Sequence, residues 1–280
     1  MPSAKTQLEQ SLALYDSRQR KVHDFVQDPY VTCSGVLAHI LHALGYADQA
    51  LAKCLKSLSD ARQLAEPYTL AWATGTTAAL YVRRGDHLKG QELAVERLAI
   101  CIEHGFLSFS AEGHLWCGWA LVQEGRPEEG IARMLQGLAM VTTTERHLFN
   151  LYLATAYWQV GRVKEGLSIV ENSLAEMDDE SEAHNTLTDF YRLKGELLLM
   201  EDPHVVEAEQ YLQRAIEIAR RNSDQTAELQ ATMSLARLLG STDRRAQAGM
   251  MLAEIYHRFT EGFDTADLKE AKMLLDELSI

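Results

Sequence analysis

Proline, phenylalanine and cysteine are all scarce in this 280-residue chain, with five, seven and four residues respectively. The cysteines, Cys33, Cys54, Cys101 and Cys117, form no Cys-x-x-Cys pair, and each lies inside an apolar helical pattern. They read as reduced, small hydrophobic fillers, which sets aside a disulfide framework. Basic charge is also short: 27 Lys and Arg against 40 Asp and Glu give a formal net charge of −13. That balance disfavours nucleic acid and anionic membranes as partners, because both need clustered cations. The chain has no apolar run long enough to cross a bilayer. Its start, Met1-Pro2-Ser3-Ala4-Lys5, shows no secretory pattern, so the expected location is the cytoplasm. Two catalytic signatures are missing, the Gly-x-x-x-x-Gly-Lys-Ser/Thr phosphate loop and the Gly-x-Ser-x-Gly nucleophile elbow. The expectation is therefore a non-enzyme, with no catalytic residue, no cofactor and no metal site.

What the chain does have is a rhythm of small residues. Ala38, Ala78, Gly118, Ala154, Gly195 and Ala236 are separated by 40, 40, 36, 41 and 41 positions. A second set, Ala50, Gly90, Gly130, Gly166, Ala208 and Ala248, follows the first by 12 residues, or by 13 for the Gly195/Ala208 pair. Two phased sets imply two helices per unit, packed closely where bulky side chains are missing. The period of about 40 residues is that of helix-hairpin solenoids. Such an array grows by adding units, and it offers a long surface for binding rather than one enclosed core.

Turn signals fall in phase with this rhythm at Gly45-Tyr46, Gly85-Asp86, Gly125-Arg126-Pro127, Gly161-Arg162, Asp202-Pro203 and Asp243-Arg244. Pro29, Pro67, Pro127 and Pro203 sit where a helix should begin, at a position where the missing N–H costs nothing. First helices are expected at 29–44, 67–84, 107–124, 145–160, 180–201 and 224–240. Second helices are expected at 47–64, 87–104, 127–143, 163–177, 203–221 and 244–259. Leu8–Phe25 reads as an additional N-terminal helix. Ala266–Ser279 reads as an amphipathic closing helix, with Leu268, Met273, Leu274, Leu275 and Leu278 near one face and Asp264 or Thr265 as its cap. The expected organisation is one domain, 1–280. It comprises a partial repeat or cap (1–28), repeats at 29–65, 66–105, 106–144, 145–178, 179–222 and 223–260, and a closing helix (261–280). The acidic starts Glu128-Glu129 and Asp178-Asp179-Glu180 suit the positive ends of helix dipoles.

On these residues the chain resembles tetratricopeptide-repeat proteins, in a long form of the repeat. More narrowly, Ala38–Leu51 (AHILHALGYADQAL), Gly118–Gly130 (GWALVQEGRPEEG), Tyr191–Leu199 (YRLKGELLL) and Phe259–Leu278 (FTEGFDTADLKEAKMLLDEL) look like one bacterial group. They resemble the C-terminal repeat region of bacterial multidomain signalling ATPases and class III adenylate or guanylate cyclase-like regulators. The FTEGFDTADL stretch is the most specific piece. The resemblance implies an all-α, right-handed superhelical solenoid of about six hairpins, whose first helices line a concave groove. With no phosphate loop and no recognisable pair of cyclase metal-binding aspartates, it implies a regulatory or partner-sensing role and no activity.

The family geometry, counted from each first-helix small residue, names the groove. It gives His39 and His42, Trp72 and Arg83, Glu112 and Trp119, Leu151 and Trp158, then Asp189, Arg192 and Glu196, and finally Arg237. The three tryptophans suit either an aromatic-lined peptide groove or packing between repeats. Asp189, Arg192 and Glu196 fit ligand-orienting charges or a ladder of ion pairs within one helix. Lys194 among them suggests a polar patch or an ion pair between helices. His39 and His42 have ligand-like spacing but no evident third ligand. The leading expectation is a protein or peptide partner docked in the groove. A small-molecule effector closed in by the tryptophans, and the tail of an enzyme whose catalytic modules lie elsewhere, stay open as alternatives. A homo-oligomer is compatible with an exposed repeat end.

Overall fold

The computed structural model describes residues 1–15, 27–141, 145–177, 186–202 and 206–279. Among these residues every regular element is an α-helix. In chain order they are α1 (Pro2–Leu14), α2 (Pro29–Ala43), α3 (Ala47–Leu64), α4 (Pro67–Arg83), α5 (His87–His104), α6 (Leu107–Gln123) and α7 (Pro127–Leu138). They continue with α8 (Arg146–Gln159), α9 (Val163–Glu176), α10 (Leu187–Glu201), α11 (Val206–Asn222), α12 (Gln225–Gly240), α13 (Arg245–Tyr256) and α14 (Ala266–Leu278).

Local chemistry accounts for the boundaries. Pro29, Pro67 and Pro127 open α2, α4 and α7, and Pro2 opens α1. Asp28 caps α2 by accepting from the Val31 amide at 2.9 Å. Glu66 caps α4, its carboxylate accepting from the amides of Tyr68 and Thr69 at 3.1 and 2.7 Å. The turns at Gly45, Gly85, Gly125 and Gly161 have φ of 86°, 85°, 79° and 73°, the left-handed backbone that closes a helix. The next amide then reaches back to close the last turn, as Tyr46 N–H does to the Leu41 carbonyl at 2.8 Å.

All twelve small residues of the two phased sets are buried, and the two sets meet each other. A Cβ built on Gly118 would stand 2.6 Å from the Gly130 carbonyl oxygen, and one on Gly130 would stand 2.5 Å from that of Gly118. Gly90 approaches the Ala78 carbonyl, and Gly195 that of Ala208, nearly as closely, at 3.2 and 3.1 Å from the same hypothetical atom. The hairpin is thus a backbone-to-backbone contact, and the sequence period records its spacing.

The chain divides into two compact units, residues 1–142 and 143–280. In the first, α3 packs between α2 and α4, α5 packs between α4 and α6, and α7 lies on α6. In the second, α9, α11 and α13 pack between α8 and α10, α10 and α12, and α12 and α14. First helices also touch their successors: α2 with α4 and α4 with α6 in one unit, then α8, α10, α12 and α14 in the other. A second helix wedged between consecutive first helices, with the first helices of each unit forming a row, is the tetratricopeptide arrangement. The core of the second unit is continuous from Leu212 and Ala215 through Leu235 and Leu252 to Leu268, Ala271 and Leu274. Cys54, Cys101 and Cys117 are buried, and burial pushes the Cys54 thiol up to about 12.

Some expectations shift. The N-terminal helix ends at Leu14, and residues 16–25 of the expected helix lie outside the described residues, as do Asp178-Asp179-Glu180, the expected helix start at 180–185, and Pro203. Asp202 is the C-cap of α10, its amide donating to the Leu198 carbonyl. Helix α7 stops at Leu138, short of 143, where Met140 N–H turns back to the Gly137 carbonyl. On α14, Met273 faces solvent at 59% exposure and Ala271 is the buried residue. Thr265 is the cap, and its hydroxyl and amide both donate to the carbonyl of Gly262, whose φ is 76°. The FTEGFDTADL stretch is therefore the turn that delivers α14.

Candidate binding surface

In the first unit the predicted groove positions are largely filled from within. Trp72 on α4 lies over Gly35 on α2, where an added Cβ would be 2.4 Å from the indole. Beside it, His39 Nε2 bonds the Thr76 carbonyl at 3.0 Å, with Nε2 as the donor. Burial, reinforced by the Arg83 charge, lowers His39 to about 4 and His42 to about 3, so both rings are neutral at physiological pH. Arg83 itself is exposed in the last turn of α4. Trp119 is 6% exposed and meets His87 of α5 edge-on at 6.2 Å.

Glu112 has a partner that the groove geometry did not name. Arg97, a residue of the second helix α5, threads over Gly75 and pairs with Glu112 at 2.7 Å. Its Nε donates to the Phe109 carbonyl at 3.0 Å, and its guanidinium sits 4.7 Å from the Phe109 ring centroid. Gly75 is required here, because a Cβ would lie 1.3 Å from Arg97 Nη1. Both Gly35 and Gly75 stand three residues before a phased small residue, and in both cases the vacated space admits a large neighbour.

The second unit keeps its row of first helices polar. On α8, Trp158 is half-buried against the cluster of Leu151, Val170 and Leu197. On α10, Arg192 Nη1 donates to both Glu196 oxygens at 3.1 Å, and its Nη2 lies 3.7 Å from Asp189. On α12, Ser234 donates to Glu196 at 2.5 Å and Gln230 donates to Asp267 of α14 at 2.8 Å. Arg237 pairs with Glu270 of α14 at 2.5 Å. Asp189, Arg192 and Glu196 are thereby joined to Ser234 of α12, and Gln230 and Arg237 each tie α12 to α14 beside them. Lys194 faces away from these residues, pairing with Glu171 of α9 at 3.5 Å and lying 4.5 Å from the Tyr211 ring centroid, so it forms an ion pair between helices.

Sequence reasoning missed Gln230, Ser234, Asp267 and Glu270. Gln230 had a signal, since it stands six before Ala236, a position the same counting rule selects. Asp267 and Glu270 had none, because counting from Ala271, the fully buried small residue of α14, selects neither of them. Helix α14 occupies the next first-helix place, packed on α12 and α13.

Asp267 differs from its neighbours. Burial dominates and raises its carboxyl to about 6; the Gln230 hydrogen bond and the Arg192 charge oppose this, and Glu270 and Asp189 add to it. A carboxyl whose pKa is raised in the folded protein binds its proton more tightly there, so its contribution to stability is complete below pH 4 and fades as pH rises through 6. Asp267→Asn should accordingly match wild type near pH 4 and exceed it at pH 7.5 by about 2 kcal/mol. Denaturant midpoints at the two pH values check this, and parallel pH profiles for the two proteins would count against it.

No family model matches the chain, and no curated protein matches it. Solved structures do. The Rap conjugation gene regulator of the plasmid pLS20, solved in complex with the Phr* peptide, is 13% identical with a TM-score of 0.59, over 96% of this chain and 82% of that one. The apo form of RapI is 11% identical with a TM-score of 0.58, over 98% and 91%. A tetratricopeptide repeat protein from Parabacteroides merdae is 14% identical with a TM-score of 0.55, over 99% and 92%. The likeness shows the fold, an all-α tetratricopeptide-like solenoid. Among the described residues, no helix is long and apolar enough to cross a membrane, and no group of three His, Cys, Asp or Glu could hold a metal ion.

Proposed function

We propose that this chain is a non-enzymatic interaction module that docks a peptide, a helix or a partner domain along its row of first helices. The observation that carries this reading is the polar network on α10, α12 and α14. Its side chains bridge neighbouring helices, and all but the buried Ser234 keep part of their surface exposed. Partly exposed, pre-positioned donors and acceptors of this kind fix a ligand's register while apolar neighbours supply contact area. The Rap regulator solved with a peptide supports the reading by showing that this fold accommodates one. The setting in a cytoplasmic bacterial signalling protein rests on the resemblance carried by FTEGFDTADL. Residues 1–280 are read as one repeat domain because the small-residue phase continues from Gly118 to Ala154.

The test is selection from a displayed random peptide library against the wild-type protein, followed by binding of the selected peptides to variants. An Asp189→Asn/Arg237→Ala variant should lose the selected peptides, and Glu217→Gln, on the exposed side of α11, should keep them. Peptides that bind both variants equally, or no selected peptide at all, would reject the docking surface.

A further inference from the structure

The second helix α5 carries an apolar stripe that no described residue covers. Leu88, Val95 and Ile102 stand seven residues apart and are each more than half exposed, with the small, exposed Ala99 between the last two. At about 3.6 residues per turn the four fall on one narrow face, and at about 1.5 Å rise the stripe runs about 21 Å along the helix. The repeat does not demand it. Leu88 stands two before the phased Gly90, and the same register positions hold Asp48, Leu55 and Arg62 on α3, while Lys164 and Glu171 begin the set on α9. No other second helix places three large apolar residues there. An uncovered apolar stripe of this length marks a contact surface.

We infer that this stripe pairs with that of a second copy of the chain, the two α5 helices running antiparallel across a two-fold axis at Val95. In that arrangement the stripe is self-complementary. Leu88 faces Ile102 of the second copy, Gln91 faces the small Ala99, and Val95 faces its own counterpart, so every contact occurs twice, as a two-fold interface requires. The flanks agree in charge. Lys89 and Glu103, both exposed, lie on the same side of the stripe at its opposite ends. The two-fold brings Lys89 of each copy beside Glu103 of the other. It also draws Glu92 toward Glu96 of the second copy, and Glu96 is already neutralised by Arg62 of α3, which donates to its two carboxylate oxygens at 3.0 and 2.8 Å. Parallel pairing forfeits both Lys89–Glu103 contacts, because it leaves the two residues at opposite ends of the pair, so the charges select the antiparallel arrangement. This pairing goes beyond the docking reading and does not depend on it, since docking uses first helices.

Sedimentation equilibrium of the full chain, from micromolar to submillimolar concentration, should show monomer and dimer in exchange. Val95→Glu puts two like charges on the two-fold axis and a good helix former at an exposed helix position. It should weaken association by about a hundredfold, with the circular dichroism unchanged. Disulfide trapping reads the register, in a background carrying Cys33→Ser because the other three native cysteines are buried. With oxidised glutathione as the oxidant, Val95→Cys should cross-link to itself. Leu88→Cys and Ile102→Cys should each stay uncross-linked alone and join when mixed. A protein that remains monomeric across the whole range would overturn the pairing, as would a dimer that Val95→Glu leaves intact. Self-cross-linking of Leu88→Cys or Ile102→Cys, or failure of the mixture to join, would overturn the antiparallel arrangement.

Discussion

Replacing both Arg220 and Arg258 with alanine should destabilise the second unit by about 3–5 kcal/mol, more than any substitution of an exposed ion pair. Their shared partner, Glu228, is 1% exposed and lies on α12. Arg220, from the end of α11, donates to Glu228 Oε1 at 2.7 Å. Arg258, just beyond α13, donates to the same oxygen at 3.0 Å and lies 2.9 Å from the other. The arginines themselves are 56% and 41% exposed. That asymmetry sets the order of effects. Removing the arginines strands a carboxylate in the core. Removing the carboxylate, as in Glu228→Gln, frees two guanidinium groups to turn into water, and should cost only about 1–2 kcal/mol. Guanidinium-induced unfolding followed by circular dichroism separates the two cases. If the single substitution costs as much as the double, the burial argument fails.

Gly118→Val should destabilise the first unit by about 3 kcal/mol, near the upper end for overpacking. The new Cβ meets backbone on the facing helix, the Gly130 carbonyl oxygen at 2.6 Å and Met134 N at 3.0 Å, besides the Met134 side chain at 2.7 Å. A side chain can swing aside, but α7 can yield only by moving as a whole. Gly118→Ala should cost less, because alanine gains about 1 kcal/mol of helix propensity that offsets part of the clash. The comparison is made by thermal melting of both variants, with limited proteolysis between α6 and α7 to locate the opening. An unchanged melting temperature for Gly118→Val would contradict the close approach.

The contrast between these glycines and the polar residues of α10, α12 and α14 explains what was readable beforehand. Gly118 and Gly130 declare themselves because a backbone contact admits one residue type, and a solenoid repeats the demand at a fixed interval. Helix starts were equally legible where proline or a capping acid opens them, as at Asp28-Pro29. The surface network was only half legible. Asp189, Arg192, Glu196 and Arg237 follow from counting, since they stand at fixed offsets from a small residue. Asp267 and Glu270 do not, because they belong to a helix that reads as a cap and takes a first-helix place only through contact with α12. Arg97 was invisible for a different reason. It reaches Glu112 from a second helix, through space cleared by Gly75, and no within-helix periodicity encodes that path. The tryptophans lie on first helices, where Trp72 and Trp119 are engaged in packing, over Gly35 and against His87 respectively.

The meeting of the two small-residue sets bears on how either unit can deform. In the hairpins of Gly90, Gly118 and Gly195, main chain touches main chain, and the pair of helices behaves as one stiff plank. Between hairpins, consecutive first helices are joined largely by side-chain contacts, such as His39 to the Thr76 carbonyl, Ser234 to Glu196 and Gln230 to Asp267. Bending inside a unit is therefore confined to these joints, the kind of small sliding that packed helices tolerate. In the second unit the joints are made of the same donors and acceptors that a docked peptide would recruit. If a peptide docks there as proposed, occupancy and articulation would draw on one set of hydrogen bonds.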